Sequence, residues 1–373
     1  MGDKSAFVEC MRVRLEDVCE KESSKLKQSD VIDQNGMYPV YGASGYLGNI
    51  NTYQQSNYYI AVVKDGAGIG RTMLLPPESS IIGTMQYLIP KDNVLPEYLY
   101  YVVKAKHLEK YFSGATIPHI YFKDYKNEQF DLVSFEEQRE IINRLKKIEI
   151  IIENLSKNLL LLDELVKARF VEMFGDENNS KGWEIVNIED VANVQVGVVI
   201  KPSQYYTDQY NGIKAFRSLN IGDGYIKDDD WVYFSKEGNK KNKKSILSTN
   251  DVLVVRSGAP GTACVVTSEY AGSNAIDVII AHPDFQKVDS RYLCTYTNMP
   301  HGKSQIIEGT GGAAQQHFNV GKYNKLKLML PPLEYQKQYV KFLEEIDKSR
   351  SRIQKSLEAS QELFDSLMQK YFG

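Results

Sequence analysis

Lys64 and Arg71 bracket the run Gly66-Ala67-Gly68-Ile69-Gly70. A GxGxG of this kind cradles a phosphate or S-adenosylmethionine when it follows a strand and opens a helix, whose N-terminus faces the ligand. Here the next residues, Thr72-Met73-Leu74-Leu75-Pro76-Pro77, read as a strand and then a break. The matching place in the second half of the chain, Ser257-Gly258-Ala259-Pro260-Gly261-Thr262, keeps the turn and loses the pattern. The run is a glycine-rich hairpin and not a cofactor loop.

Other reactive constellations are missing from the sequence. It has no P-loop, no HExxH and no paired Cys/His metal spacing. The five histidines are dispersed, and Pro76-Pro77 and Pro331-Pro332 lack the flanks of an amino-methyltransferase signature. Cys10, Cys19, Cys264 and Cys294 have no CxxC spacing, which fits idle thiols in a reducing cytoplasm. The carboxylate pairs Glu16-Asp17 and Glu189-Asp190 recur, but neighbours on a strand face opposite ways. They read as turn or cap residues. No catalytic residue, no metal ligand and no cofactor bound by this chain is expected.

Polar loops at matched positions in the two halves carry a different chemistry. In the first half they hold Tyr41, Ser44 and Tyr46; Lys64 and Arg71; and Thr116, His119, Tyr121 and Lys123. In the second they hold Lys201; Arg217, Ser218 and Asn220; Arg256 and Ser257; and Gln315, Gln316, His317 and Asn319. Arg and Lys read guanine edges, and Asn and Gln read adenine edges. These residues are the candidate DNA contacts. Lys236, Lys240, Lys241, Lys243 and Lys244 form a basic run beside Asp228-Asp229-Asp230. A solvated loop and a phosphate contact are both open for it. The net charge of −3 argues mildly against a nucleic-acid partner, although a global count does not see a local basic face.

The elements that must position these loops are duplicated. Glu136 to Gly175 returns as Glu334 to Gly373 under one constant shift of 198 residues, with Gln138, Leu145, Ile148, Phe174 and Gly175 among the identities. The bodies before each copy repeat as well: Val186-Asn187-Ile188-Glu189-Asp190-Val191 echoes Val13 to Val18, and residues 251–266 echo the strand and glycine turn of 58–75. The second body carries insertions, chiefly around 201–250. Helical spacing is also expected over 95–112. In the first long copy Ile141, Leu145, Ile148, Ile152, Leu155, Leu159, Leu162 and Val166 alternate at spacings of 4 and 3, a coiled-coil seam. In the second the seam is Leu343, Ile346, Ile353, Leu357, Phe364 and Leu367, broken by Arg350 and Ser360. Ser134 and Glu137 offer a capping box, and Gly175 a C-cap. The expected fold class is α+β, with two duplicated α/β domains separated by two long antiparallel helices that form a coiled coil, on a pseudo-two-fold axis. The domains are 1–135, the helix 136–175, 176–333, and the helix 334–373.

At this point the chain resembles the specificity subunit of type I restriction–modification enzymes. The likeness is carried by NGMYPVYGASGYLGN, FRSLNI followed by GY, NDVLVVRSG, GATIPHI and GGAAQQHF, the last two running into an apolar strand and then EEQREII or PLEYQKQYV. It covers essentially the whole chain, and the order of motifs, twice over, is what makes it specific. The resemblance implies two target-recognition domains, each reading half of a bipartite double-stranded DNA sequence. It further implies a coil that separates them, two modification subunits that bring S-adenosylmethionine and methylate adenine N6, and restriction subunits that use ATP and Mg. Pro331-Pro332 stands where the first copy has Val133-Ser134, a departure that bears on how evenly the coil packs.

Apolar content of 42% and charge of 25% are ordinary for a globular chain. No stretch has the length and hydropathy of a membrane span, and MGDKSAFVEC has no signal-peptide core, so a cytoplasmic protein is expected. Two other classes stay open on the residues alone: a stand-alone DNA-modifying enzyme, and a coiled-coil scaffold unrelated to DNA.

Overall fold

The computed structural model describes residues 11–31, 36–114, 118–310 and 318–373. The chain divides into two units, Met1–Lys157 with Ile353–Gly373, and Asn158–Arg352. Each unit holds one mixed body and a stretch of both long helices.

In the first unit Tyr59–Val63, the apolar run of the sequence, is buried at every residue. It lies inside an antiparallel sheet ordered Cys19–Ser23, Met85–Pro90, Tyr59–Val63, Thr72–Leu75. A second sheet joins Gly45–Ile50 to Tyr38–Gly42, and the latter pairs in parallel with Ser80–Ile81. Met11–Arg14 pairs with Gln129–Leu132. The helix Pro96–Ala105 sends Tyr98, Leu99, Val102 and Val103 into a core with Leu15, Val18, Ile60, Val62 and Leu88. Burial of each such side chain favours folding by about 1.5–3 kcal/mol. The helical spacing expected through residue 112 ends at Ala105, because His107 takes a left-handed conformation (φ +48°) and only a short 3₁₀ turn, Leu108–Tyr111, follows.

The second unit repeats the plan. Its sheet runs Ala192–Val196, Val278–Pro283, Val252–Val255, Ala263–Val265, and Glu184–Asn187 pairs with Lys327–Leu330. A second sheet has Ile213–Phe216 in parallel with Asn274–Ala275. The helix Ser290–Asn298 takes the place of Pro96–Ala105. The duplication reaches individual hydrogen bonds. Tyr98 Oη donates to the Asp131 carbonyl at 2.8 Å, and Tyr292 Oη to the Met329 carbonyl at 2.7 Å. Gln138 Oε1 accepts from Leu95 N at 2.8 Å while its amide donates to Val133 O at 3.0 Å. Gln336 does the same with Asp289 N and Pro331 O, both at 2.8 Å. Asp17 and Asp190 both cap, accepting from Arg14 N and Asn187 N at 2.8 Å.

The long helices are Phe135–Phe174 and Leu333–Phe372, 40 residues each. Ser134 Oγ accepts from Glu137 N at 3.3 Å at the start of the first, and Gly175 at φ +90° ends it. In the first unit Ile141, Leu145 and Ile148 share a core with Phe364, Met368 and Phe372. Arg144 donates to Tyr371 Oη at 3.2 Å, and Lys104 Nζ reaches both Glu149 at 3.2 Å and the Phe364 ring at 5.1 Å. In the second unit Tyr339 Oη donates to Val166 O at 3.2 Å, and Arg350 pairs with Asp163 at 2.6 Å. Within each unit the helices therefore run antiparallel, as rising numbers on one meet falling numbers on the other. All the expected seam positions are buried or half-buried. Arg350 leaves the seam to pair with Asp163, and Ser360 Oγ turns back to its own helix, to Ser356 O at 2.7 Å. Among the described residues no helix is long and apolar enough to cross a membrane.

Candidate nucleic-acid interface

Between Tyr59–Val63 and Thr72–Leu75 the chain makes the expected hairpin, with Gly66 and Gly70 at φ +92° and +82°. Gly70 is needed for closeness as well, since a Cβ there would meet Glu109 N at 2.6 Å. The hairpin is braced from outside. Lys64 O accepts from Ile120 N at 2.9 Å, and Gly66 N donates to Pro118 O at 3.0 Å.

This bracing sets Asp65 Oδ1 at 2.6 Å from His119 Nδ1. A carboxylate only accepts, so Nδ1 carries the hydrogen of this bond. Tyr121 lies 6.3 Å from the imidazole at an interplanar angle of 22°, and Lys123 Nζ stands 5.4 Å from the Tyr121 ring. On the other side Arg71 donates to Ala43 O at 2.7 Å, which ties in the 41–46 turn. There Ser44 is exposed, Tyr46 is 61% exposed, and Tyr41 meets Tyr46 edge to face at 6.2 Å. Burial, and then the neighbouring Tyr46, push the Tyr41 hydroxyl pKa above the usual range. Tyr41, Ser44, Tyr46, Lys64, Arg71, His119, Tyr121 and Lys123 thus sit on three segments joined through the hairpin, which bonds to the 41–46 turn on one side and to 118–123 on the other. Thr116 lies outside the described residues.

The second body uses the same frame with other fillings. Phe318 N donates to Arg256 O at 3.0 Å. The Arg256 side chain is occupied by the fold: Nε donates to Phe318 O at 3.1 Å, and the guanidinium pairs with Asp277. Asn220 is fully buried, with Oδ1 accepting from Arg217 N at 2.9 Å and Nδ2 donating to Asp229 O at 2.8 Å. Asn319 Oδ1 accepts from Lys322 N at 2.9 Å and caps the helix Val320–Asn324. In this structure the polar groups of these three residues bond within the fold; for Asn220 and Asn319 that follows from short polar side chains in loops satisfying nearby backbone groups. Arg217 pairs with Asp230 at 3.1 Å, and its Nε is buried without a partner. Ser218 and Ser257 are half-buried, while Lys201 is exposed at φ +43°. Gln315, Gln316 and His317 lie outside the described residues.

The sequence reading missed Asp65, whose partner His119 lies 54 residues away. It also missed Asp277, which holds Arg256, and set Asp230 beside the lysine run, whereas Asp230 holds Arg217. A carboxylate beside each basic loop position was the available signal, but many loops have one.

Comparison with known proteins bears on the whole chain. The family described as type I restriction modification DNA specificity domain matches residues 8–161 and 180–361. The type I restriction enzyme MjaVIII specificity subunit of Methanocaldococcus jannaschii is 23% identical over 309 residues, covering 77% of this chain and 72% of its own. The MjaIX specificity subunit of the same organism is 22% identical, covering 76% and 69%. Among solved structures, the S subunit of a type I restriction-modification system from M. genitalium superposes with a TM-score of 0.63 at 15% identity, covering 100% of this chain and 98% of that one. A match running through both bodies, on a fold shared from end to end, makes this chain a member of the type I restriction–modification specificity-subunit family.

Proposed function

We propose that each body reads one half of a bipartite, asymmetric target in double-stranded DNA, and that the long helices set the spacer between the halves. One observation carries the reading. The frame around the glycine hairpin is the same in both bodies, Ile120 N to Lys64 O and Phe318 N to Arg256 O, while the side chains mounted on it have diverged. A repeated frame with changed fillings suits two readers of different sequences. Contacts to the bases come from the exposed polar groups of those loops, and contacts to phosphates fix the register.

In this reading the helices and neighbouring segments also dock two modification subunits, which carry S-adenosylmethionine and methylate adenine N6, and restriction subunits that use ATP and Mg. The chain itself binds no cofactor and catalyses nothing. Its part is to choose where its partners act, inside the cell. Exchange of residues 176–333 for those of another family member tests the independence of the readers. The methylated motif of the assembled enzyme should change in one half only; a change in both halves overturns the reading.

A further inference from the structure

The basic run of the second body lies on a short helix, Lys236–Lys241, and the 3₁₀ turn Lys243–Ser245 that follows it. Lys236, Lys240, Lys241, Lys243 and Lys244 are all exposed, and among the described residues none forms an ion pair. The acidic run next to them in sequence does not neutralise them. Asp228 is taken by Lys214 at 2.6 Å and Trp231 Nε1 at 2.6 Å, and Asp230 by Arg217 at 3.1 Å. On a chain of net charge −3 the segment 236–245 thus carries five lysines against one carboxylate, the exposed Glu237.

The segment beneath the lysines is built, not loose. Asn274, fully buried, donates to Asn239 Oδ1 and accepts from Ser245 Oγ, both at 2.7 Å. Asn242 Nδ2 donates to Gly238 O at 2.8 Å, and Ser235 Oγ caps the helix by accepting from Gly238 N at 3.0 Å. Gly238 lets Tyr205 pack onto the helix, since a Cβ there would meet Tyr205 Cβ at 2.7 Å. A fully satisfied buried amide network rigidifies the segment that carries the lysines. Asn274 also belongs to the strand that pairs in parallel with Ile213–Phe216, which leads directly into Arg217 and Ser218. The platform and that candidate reading loop therefore share a rigid mount.

We propose that this platform grips the DNA phosphate backbone beside the half-site read by the second body. The inference rests on DNA being the ligand of this chain. Lysine is a compact point charge without the planar fork that reads bases, so the grip is independent of sequence. The segment belongs to the insertion at 201–250, so the first body reaches its own half-site without it.

The test uses the complete enzyme, this chain with its modification subunits. Binding is measured against salt concentration on a duplex with the methylated motif and on a scrambled duplex. The Lys240→Gln, Lys241→Gln, Lys243→Gln, Lys244→Gln variant should lower the log–log salt slope by about 3 to 4 on both duplexes, at ~0.9 per phosphate contact. The methylated motif should stay the same. The four lysine-to-arginine changes should restore the slope, which separates charge from packing. An unchanged slope in a glutamine variant that still methylates its motif overturns the platform alone. A wild-type enzyme that binds both duplexes equally overturns the proposed reading of DNA itself.

Discussion

The backbone amide of Phe318 donates to the carbonyl oxygen of Arg256 at 3.0 Å, fastening the glycine hairpin of the second body to the loop before its last strand. Ile120 and Lys64 make the same bond at 2.9 Å in the first body. Two bodies of diverged sequence keep the bond that fixes where their loops stand. The side chains on those loops are free to differ.

If the helices act as a ruler, their length is readable in the target. Insertion of one heptad after Leu155 and another before Ile353 adds roughly 10 Å at 1.5 Å per residue. The spacer of the methylated motif should grow by about three base pairs at 3.4 Å each. Sequencing of the modified motif checks this, and an unchanged spacer contradicts it.

Gln138 and Gln336, 1% and 0% exposed, each join the start of a long helix to the start of a body helix. Replacement of Gln138 by Ala leaves Leu95 N and Val133 O without their partner. The loss should be about 1–3 kcal/mol, and the Gln336→Ala loss should be similar, measured by urea denaturation. Gln354, on the exposed face of the second helix, is the control and should cost little when replaced by Ala.

The seam should be uneven in strength. Leu145 is fully buried against the first core, and Leu145→Ala should cost about 2–5 kcal/mol. Arg350 and Asp163 form a solvent-facing pair, with side chains 39% and 53% exposed, so Arg350→Ala should cost less than about 1 kcal/mol. Thermal denaturation of the two variants side by side tests the order; a larger loss at Arg350 contradicts it.

Burial pushes the Cys19 and Cys264 thiols up to about 12, and Cys294 is raised by the same cause. The reactive thiolate is therefore scarce at pH 8. In a background where Cys10, outside the described residues, is replaced by Ser, a thiol reagent at pH 8 should label none of the three until the chain is unfolded. Rapid labelling of the native protein contradicts the assigned cores.

The repeats and the helices were legible because both rest on periodicity: a heptad of apolar residues and a constant shift survive divergence. The hairpin at 64–71 was legible because positive φ selects glycine. Less was visible where a contact joins distant residues. The seam read from the sequence ends at Val166 and takes in neither Phe170 nor Phe174, yet those two are fully buried against Tyr292 and Tyr339. They leave the seam to anchor the helix on a body, and no periodicity announces that. Loop polarity was an equally blunt guide. Asn220 and Arg256 look like readers in sequence, but their hydrogen bonds are internal, whereas Tyr46 and Lys201 stand in solvent.

A methylation map of host DNA, made with and without this chain while its modification subunits are retained, tests the central claim most directly. The account predicts one bipartite, asymmetric motif with N6-methylated adenine that is present with the chain and lost without it. A map unchanged by removal of the chain would contradict it.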